Sequence, residues 1–326
     1  MKRFELCGLG NSLIDILVDI EEESFRELGL EKVTMRLVES GEQSRLLSRF
    51  ADAGLSRASG GSVANSVISF AQLGGRAAFL GSVADDQNGN FYRHEFETLG
   101  IAFPVPPASE GATGTSLVLI TPDAERTMRT SLGVSTSLSA KHMDEKVISD
   151  SEWLFVEGYL FANPENGQQA VARAIEVAKR NGCRVAVTFS ESWVVETFRE
   201  SVESAVKNAD LIFANETEAC AYAGVKDVKE AFHFLKKLVP NVAITLGPKG
   251  SLIYFGGVDA QVEAFPCEPV DLTGAGDMFA GAFLYGVVNG VEPSDAARRA
   301  NLLASKVISQ LGARMQSGIA ATWKEA

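Results

Sequence analysis

The segment that decides the fold is Asp271-Leu272-Thr273-Gly274-Ala275-Gly276-Asp277, a loop with two glycines that leads into an apolar helix extending to about Val287. The N-terminus of a helix presents unpaired N–H groups and about half a positive charge. Gly274 and Gly276 allow the backbone to approach an anion closely. The segment therefore fits an anion site beside a carboxylate, Asp277. A glycine turn before an ordinary helix start fits it about as well.

Strands and helices alternate regularly from about residue 150 onward. Short apolar runs at 153–156, 184–189, 210–214 and 242–246 predict strands, and helical periodicity marks 168–181 and 229–238. Because parallel strands require crossover connections, this pattern predicts an α/β fold with a mostly parallel central sheet flanked by helices. Ligands bind beyond the carboxyl ends of the strands in such sheets.

The first 130 residues show a different pattern. In residues 13–20, every second residue is apolar, and the residues between them form a face on which leucine and aspartate alternate. The strand-like runs 115–120 and 126–130 flank a turn at 121–124. We interpret these strands as a small antiparallel lid beside the main sheet. The lid strands come from about 12–40 and 101–130, within a single catalytic domain that spans 1–326.

Composition excludes several function classes. The chain has 326 residues, a formal net charge of −12 and no basic cluster, which disfavours nucleic acid as a partner. Its four cysteines and three histidines show no zinc-ligand spacing. No apolar run approaches the length needed to span a membrane, so we expect a cytoplasmic protein without a membrane partner.

Polar residues at the boundaries of predicted elements are candidate ligand contacts. Asp15 lies in an apolar strand, where a carboxylate is costly unless it is paired or faces a ligand cleft. Asn65 opens a predicted helix, and its amide can both donate and accept. Asn215 and Glu218 have the spacing of a helix capping box. Each residue also has a purely structural alternative. Asp15 could face water at a strand edge, Asn65 could be a solvated amide, and Asn215 with Glu218 could only cap a helix.

The segment 271–277 resembles the C-terminal signature of the ribokinase-like, or PfkB, family of carbohydrate and nucleoside kinases. That signature is similar to D-T-x-G-A-G-D, and Leu272 replaces its usual Thr. The resemblance implies a ribokinase-like fold and the use of ATP and Mg²⁺, with K⁺ as a further candidate ion. It implies that Asp277 is the catalytic base and that the amides of Gly274, Ala275 and Gly276 form the anion hole.

Further motifs follow in family order along nearly the whole chain and imply roles for individual residues. Acceptor-binding roles are implied for Asn11, Leu13, Asp15, Gly61, Asn65 and Arg126. Arg129 is the alternative to Arg126 as the arginine that reaches the transferred phosphate. Nucleotide-binding roles are implied for Asn215, Glu218, Thr245, Gly247, Gly250 and Asn301. Water-mediated Mg²⁺ is implied at Glu218, and K⁺ at Asp271 and Thr273.

The predicted function is ATP-dependent phosphorylation of a hydroxyl on a ribose-containing small molecule. Similarity is greatest to the adenosine kinase branch, so adenosine, converted to AMP, is the leading acceptor. A ribokinase- or fructokinase-like sugar kinase and a non-catalytic ligand-binding protein of the same fold are the alternatives. A dinucleotide-binding dehydrogenase is excluded because Leu13 occupies the third glycine position of the dinucleotide-binding motif. A P-loop kinase is excluded because the chain contains no P-loop motif. The protein is expected to be a monomer or a homodimer.

Overall fold

The computed structural model describes residues 2–32, 34–50, 55–123 and 125–325. The strands in these ranges are β1 (Phe4–Leu9), β2 (Leu13–Asp19), β3 (Met35–Leu37), β4 (Ser56–Gly60), β5 (Ala77–Leu80), β6 (Thr113–Ile120), β7 (Arg126–Gly133), β8 (Ser151–Val156), β9 (Arg184–Thr188), β10 (Leu211–Asn215), β11 (Val242–Thr245), β12 (Ser251–Phe255) and β13 (Val258–Val262). The helices are α1 (Glu22–Glu27), α2 (Ser40–Ser48), α3 (Ser62–Gln72), α4 (Gln87–Thr98), α5 (Glu145–Ser149), α6 (Gly167–Arg180), α7 (Ser192–Thr197), α8 (Arg199–Val206), α9 (Glu216–Ala223), α10 (Val228–Leu238), α11 (Ala275–Val288), α12 (Pro293–Ile308) and α13 (Ile319–Glu325).

The main sheet has the strand order β13-β12-β11-β10-β9-β8-β1-β5. All neighbouring strands from β11 to β5 are parallel, and β12 and β13 add an antiparallel edge. Helices cover both faces. Along β8, Trp153 and Phe155 belong to one buried cluster, whereas Leu154 and Val156 belong to the other. This two-sided burial explains why the strands are continuous apolar runs.

A second sheet has the order β3-β7-β6-β2-β4 and is called the lid sheet below. The β6–β7 and β2–β4 pairs are antiparallel, and the β2–β6 and β3–β7 pairs are parallel. On β2, Ile14, Ile16 and Val18 are buried in the core, whereas Leu13 and Asp15 lie on the other, partly exposed face. The alternation predicted for this strand is therefore confirmed.

The predicted fold class is confirmed, and five strands were missing from the sequence interpretation, namely β1, β4, β5, β12 and β13. β1 and β5 lie in the first 130 residues but belong to the main sheet, because each is an apolar run buried on both faces. β4 joins the lid sheet although it lies outside the ranges 12–40 and 101–130. Its sequence is polar and small and carries no strand signal. The predicted turn at 121–124 includes Ala124, which lies outside the described residues.

The topology brings the strand ends and the lid sheet together. The loops after β1, β8, β9, β10 and β11 leave the same edge of the main sheet, because these strands are parallel. β2 follows β1 after a turn of only three residues, so the lid sheet stands directly over that edge. Within the described residues, no helix is both long and apolar enough to cross a membrane.

Candidate active site

A cavity of about 520 Å³ lies between the lid sheet and the carboxyl ends of the main strands. This volume is in the range that holds a small organic ligand. The predicted residues that line it are Asn11, Leu13, Asp15, Gly61, Asn65, Asn215, Glu218, Thr245, Thr273, Gly274, Ala275, Gly276 and Asp277. Residues that are distant in the sequence therefore converge on one site.

The start of α11 forms the floor of this cavity. Gly274 is the N-cap residue with φ of 79°, and a Cβ at this position would lie 2.2 Å from the carbonyl oxygen of Ala313. Only glycine fits this backbone conformation and this close approach. No side chain caps the helix. The N–H of Ala275 makes a long hydrogen bond of 3.5 Å to the carbonyl oxygen of Leu272, whereas helix geometry leaves the N–H groups of Gly276 and Asp277 without an intrahelical acceptor. Such N–H groups can bind the oxygens of a phosphate.

Asp277 lies in the first turn of α11 and is held by two donors from α3. Ser62 Oγ donates to its Oδ1 at 2.6 Å, and Asn65 Nδ2 donates to its Oδ2 at 3.0 Å. Burial raises the pKa of Asp277 to about 6, and these two hydrogen bonds oppose the increase. A carboxyl group with this pKa is ionised near neutral pH and can accept a proton from an alcohol.

Two predicted acceptor residues retain free hydrogen-bonding capacity. Asn65 is 5% exposed, and its Oδ1 has no partner. Within the described residues, the Asp15 carboxylate accepts no hydrogen bond, and burial raises its pKa to about 6 against the opposing charges of Arg314 and Arg126. Buried polar groups without partners are rare in folded proteins. Asn65 Oδ1 is such a group, and the partly exposed Asp15 carboxylate lines the same cavity, so both can accept hydrogen bonds from ligand hydroxyls.

Gly61 connects β4 to α3 beside these two groups. Its φ is 113°, and a Cβ at this position would lie 2.1 Å from the carbonyl oxygen of Asn11. A side chain at this position would therefore separate the turn after β1 from the start of α3.

Glu157 is a buried carboxylate that the sequence analysis missed. Its Oε1 accepts from Asn11 Nδ2 at 2.6 Å, and its Oε2 accepts from the backbone N–H of Val63 at 3.1 Å. Burial raises the pKa of Glu157 to about 7, and the hydrogen bonds from Val63 and Asn11 oppose that shift. Glu157 thus joins the turn after β1 to the start of α3. Its only sequence signal was an acidic residue directly after an apolar strand.

Asn215 and Glu218 form the capping box that their spacing predicted. Asn215 Oδ1 accepts from the N–H of Glu218 at 2.8 Å, while the N–H and Nδ2 of Asn215 donate to the Glu218 carboxylate. Burial raises the pKa of Glu218 to about 7. The carboxylate also lines the cavity.

The cavity has an oxygen-donor position that suits magnesium. In the part of the chain that the structure describes, no three His, Cys, Asp or Glu residues are grouped to hold a metal ion. Mg²⁺ commonly binds through one or two carboxylates, water and substrate phosphates, and does not need a protein cage. Glu218 lines the same cavity as the first turn of α11, so its carboxylate fits a contact to hydrated Mg²⁺.

Arg126 and Asp271 lie beside the cavity and contact each other. Arg126 Nη1 lies 2.8 Å from Asp271 Oδ2, and Asp271 also accepts from the N–H groups of Thr273 and Gly312. An internal cation thus already neutralises this carboxylate. These contacts do not fit the predicted role of Asp271 as a potassium ligand. The Nε and Nη2 atoms of Arg126 are buried without partners.

Several other predicted residues do not line the cavity. Asn301 Nδ2 donates to Ser251 Oγ and to the carbonyl oxygens of Val262 and Glu263, so it joins α12 to the β-hairpin edge of the main sheet. Gly247 and Gly250 form the turn after β11, next to Thr245 but outside the cavity lining. Arg129 Nη1 donates to the carbonyl oxygens of Thr34 and Met128 and to Thr34 Oγ1.

Apolar side chains cover the remaining cavity walls. The lid sheet contributes Leu13, Met35, Leu37, Met128 and Leu132. The segment after β8 contributes Tyr159, and helix α7 contributes Trp193. Trp193 is 41% exposed. These walls suit a flat apolar group beyond the hydroxyl-binding residues.

Comparison with known proteins identifies the chain. A family model described as pfkB family carbohydrate kinase matches residues 48–318. The chain belongs to this family. Kinases of the family transfer phosphoryl groups to hydroxyls and use ATP, generally with Mg²⁺.

Similar proteins include both sugar and nucleoside kinases. An adenosine kinase from Sinorhizobium meliloti is 32% identical with a TM-score of 0.89, and 99% of each chain is covered. A probable sugar kinase from Rhizobium etli CFN 42 is 30% identical with a TM-score of 0.90, covering 100% of this chain and 99% of that one. A ribokinase from Haemophilus influenzae is 26% identical over 78% of this chain and 82% of its own length. The kinase thus resembles nucleoside and sugar kinases to a similar degree.

Proposed function

We propose that the kinase phosphorylates the primary 5′-hydroxyl of a ribofuranosyl compound, with adenosine as the leading acceptor. The observation that carries this proposal is the position of Asn65. Its Nδ2 donates to Asp277, while its buried Oδ1 has no partner. One amide therefore touches the proposed base and also offers an acceptor to a ligand hydroxyl.

In the proposed mechanism Asp277 acts as the general base. Its carboxylate accepts the proton of the acceptor hydroxyl as that oxygen attacks the terminal phosphorus of ATP, and the bond from this phosphorus to the bridging oxygen breaks so that ADP leaves with the bonding electrons. Ser62 and Asn65 hold both carboxylate oxygens in position. The unpaired N–H groups at the start of α11 stabilise the negative charge of the transferring phosphoryl group.

Magnesium, when bound with ATP, would neutralise part of the charge on the phosphates. Glu218 is the residue that we propose to hold its water shell, and Asn215 orients that carboxylate. Thr245 ends the neighbouring strand β11 and lies on the same side of the cavity. The strand order therefore supports a nucleotide site beside β10 and β11, and an acceptor site beside β1 and β2.

Three groups support a cis-diol as the part of the acceptor that is recognised. Asp15 can accept hydrogen bonds from two hydroxyls, Asn65 can accept through Oδ1, and the glycine backbone at Gly61 allows close approach. The apolar lid residues would then lie against a planar base. The similarity to the Sinorhizobium meliloti adenosine kinase agrees with this choice.

An ATP-consumption screen across nucleosides, ribose, fructose and other ketohexose derivatives tests the proposal. We expect kcat/KM to be highest for adenosine. A clear preference for fructose or another hexose would establish the sugar-kinase alternative, which the Rhizobium etli relative favours. Acceptor binding without ATP consumption under any condition would instead favour the non-catalytic alternative.

A further inference from the structure

One row of side chains that crosses the lid sheet is polar and faces the cavity. In the strand register, Asp15 of β2 pairs with Ser116 of β6, and Ser116 pairs with Thr130 of β7. Residues paired in this way point to the same face of a sheet, and all three line the cavity. Because neighbouring strands lie about 4.8 Å apart, the backbones of Ser116 and Thr130 are about 5 and 10 Å from that of Asp15. The row therefore carries hydrogen-bonding groups away from the proposed diol site.

The hydroxyls of Ser116 and Thr130 form a pair with unused hydrogen-bonding capacity. Their oxygen atoms lie 2.8 Å apart, and the two residues are only 1% and 6% exposed. Within the described residues, neither hydroxyl has a further hydrogen-bond partner. Two hydroxyls carry two protons, and the bond between them uses one. The second proton therefore needs an acceptor atom from outside the described chain.

Polar side chains on the opposite face of the same strands are completed in other ways. Thr115 Oγ1 donates to Gln43 Oε1, and Gln43 Nε2 donates to the carbonyl oxygens of Thr115 and Arg129. Ser131 shares a hydroxyl–hydroxyl contact of 2.9 Å with Ser40, but Ser40 is exposed, so water can complete that pair. By contrast, the cavity-facing pair is buried and can be completed only from the cavity.

The cavity extends over the lid sheet in one direction from Asp15. Among the described residues, its lining includes members of β6, β7 and β3 but none of β4, the strand on the other side of β2. The Asp15 carboxylate itself occupies the space over β4, since a Cβ on Gly60 would lie 2.6 Å from its Oδ2. Over the lid sheet, an acceptor held by Asp15 therefore has room on the side of β6 and β7, where the hydroxyl pair lies.

Apolar side chains flank the pair along β7. Met128 lies two residues before Thr130 and Leu132 two residues after it, on the same face of the strand, and both line the cavity. One hydrogen-bonding position between apolar neighbours fits an uncharged flat ring that carries a nitrogen atom. A charged group would lose its hydration there without gaining a charged partner from the pair.

We propose that the Ser116–Thr130 hydroxyl pair is a specificity subsite that donates one hydrogen bond to a ring nitrogen of the acceptor's base. This inference rests on the proposed function, because it takes the part of the acceptor beyond the diol to be the base of a nucleoside. Neither residue belongs to the motifs found in the sequence. A site with a buried hydroxyl discriminates against a compound that lacks the partner atom, because the hydroxyl proton is then left unpaired. The pair thus makes the kinase select among bases.

A deaza series on adenosine tests the proposal. 1-Deazaadenosine, 3-deazaadenosine and 7-deazaadenosine each replace one ring nitrogen by a C–H group and keep the ribose unchanged. The kcat and KM values are measured for each compound, with inhibition against adenosine for any that is not phosphorylated. We expect one of the three to lose about tenfold in kcat/KM relative to adenosine, chiefly through KM, because the reacting hydroxyl is unaltered.

The double variant Ser116→Ala/Thr130→Val removes both hydroxyls and changes the side-chain volumes little. The same deaza compound should then lose about twofold or less relative to adenosine, because no hydroxyl is left to discriminate. Replacing both partners of a hydrogen bond leaves no unpaired group, so we expect the melting temperature to stay close to that of the wild type. The two single variants identify which hydroxyl donates to the base.

Ser131→Ala is the matched control. It removes one hydroxyl from the pair on the opposite face of β7, outside the cavity lining. Its deaza series should match that of the wild type.

Three results would overturn the proposal. The first is a wild type that uses all three deaza compounds as well as adenosine, a result that requires no variant. The second is a selective loss that persists in the double variant, and the third is a loss that Ser131→Ala abolishes equally. Each would show that the cavity-facing pair does not contact the base.

Failure of adenosine itself, with a sugar as the acceptor, is a different outcome and refutes the proposed function. The double variant is then assayed with that sugar. An unchanged KM would overturn the subsite as well, whereas a rise of about threefold or more would retain the subsite with a sugar oxygen as its partner.

Discussion

Replacing Ser62 by alanine should move the pH at which this kinase becomes active. Ser62 Oγ donates to Asp277 Oδ1 at 2.6 Å, and this hydrogen bond favours the ionised carboxylate. Hydrogen bonds to charged groups contribute about 1.5–3 kcal/mol, and about 1.4 kcal/mol corresponds to one pKa unit. Because water can partly replace the hydroxyl, we expect the pKa of Asp277 to rise by about one unit above its value of about 6.

The sign of the effect on activity follows from the role of Asp277. Only the ionised carboxylate can accept the proton, so a higher pKa moves the acidic limb of the kcat/KM profile to higher pH. At a pH of about 6.5 the variant should lose about threefold in kcat/KM, and at about 8.5 the loss should nearly vanish. The assay is the full pH profile with saturating MgATP.

Ser69→Ala is the control, since Ser69 lies on the same helix and donates to the Asn65 carbonyl without touching Asp277. Its acidic limb should coincide with that of the wild type. If the limb of Ser62→Ala also coincides with the wild type, or moves to lower pH, then Asp277 is not the group whose ionisation controls the rate.

Three further predictions concern magnesium, the diol and potassium. Glu218→Gln should raise the Mg²⁺ concentration needed for half-maximal rate with little change in melting temperature; a large loss of stability with unchanged Mg²⁺ dependence would leave only the capping role. Asp15→Ala should lower kcat/KM for adenosine by about ten- to a hundredfold. In the wild type, kcat/KM for 2′-deoxyadenosine should already be lower than for adenosine by much of the same factor, and Asp15→Ala should lower it little further. Equal wild-type rates for the two nucleosides would therefore argue against diol recognition. Rates in sodium-only and potassium buffers should be equal, because Arg126 already neutralises Asp271; strong potassium activation would contradict that interpretation.

The part of the fold that could be predicted from the sequence has strong local periodicity. The strands after residue 150 are apolar runs buried on both faces, and β2 alternates because only one of its faces is buried. β4 could not be predicted from its own sequence, because its small polar residues form a strand only through pairing with β2. Tertiary contacts thus override local propensity there.

The candidate site shows the same division between local and long-range information. Glycines and polar residues at element boundaries marked most of the cavity, since such positions place backbone and side-chain groups at strand and helix ends. The partners of those residues lie far away in sequence. Ser62 and Asp277 are 215 positions apart, and Asn11 and Glu157 are 146 apart. The pairing of Arg126 with Asp271 likewise depends on how the lid sheet meets the loop before α11.

The most direct test of the proposed mechanism is the turnover of Asp277→Asn. The substitution keeps the size of the side chain and leaves Ser62 and Asn65 in place, but removes the group that accepts the proton. We predict that kcat falls by at least about a hundredfold, while the acceptor Kd measured by calorimetry in the presence of a nonhydrolysable ATP analogue changes little. Turnover close to that of the wild type would contradict the assignment of Asp277 as the catalytic base.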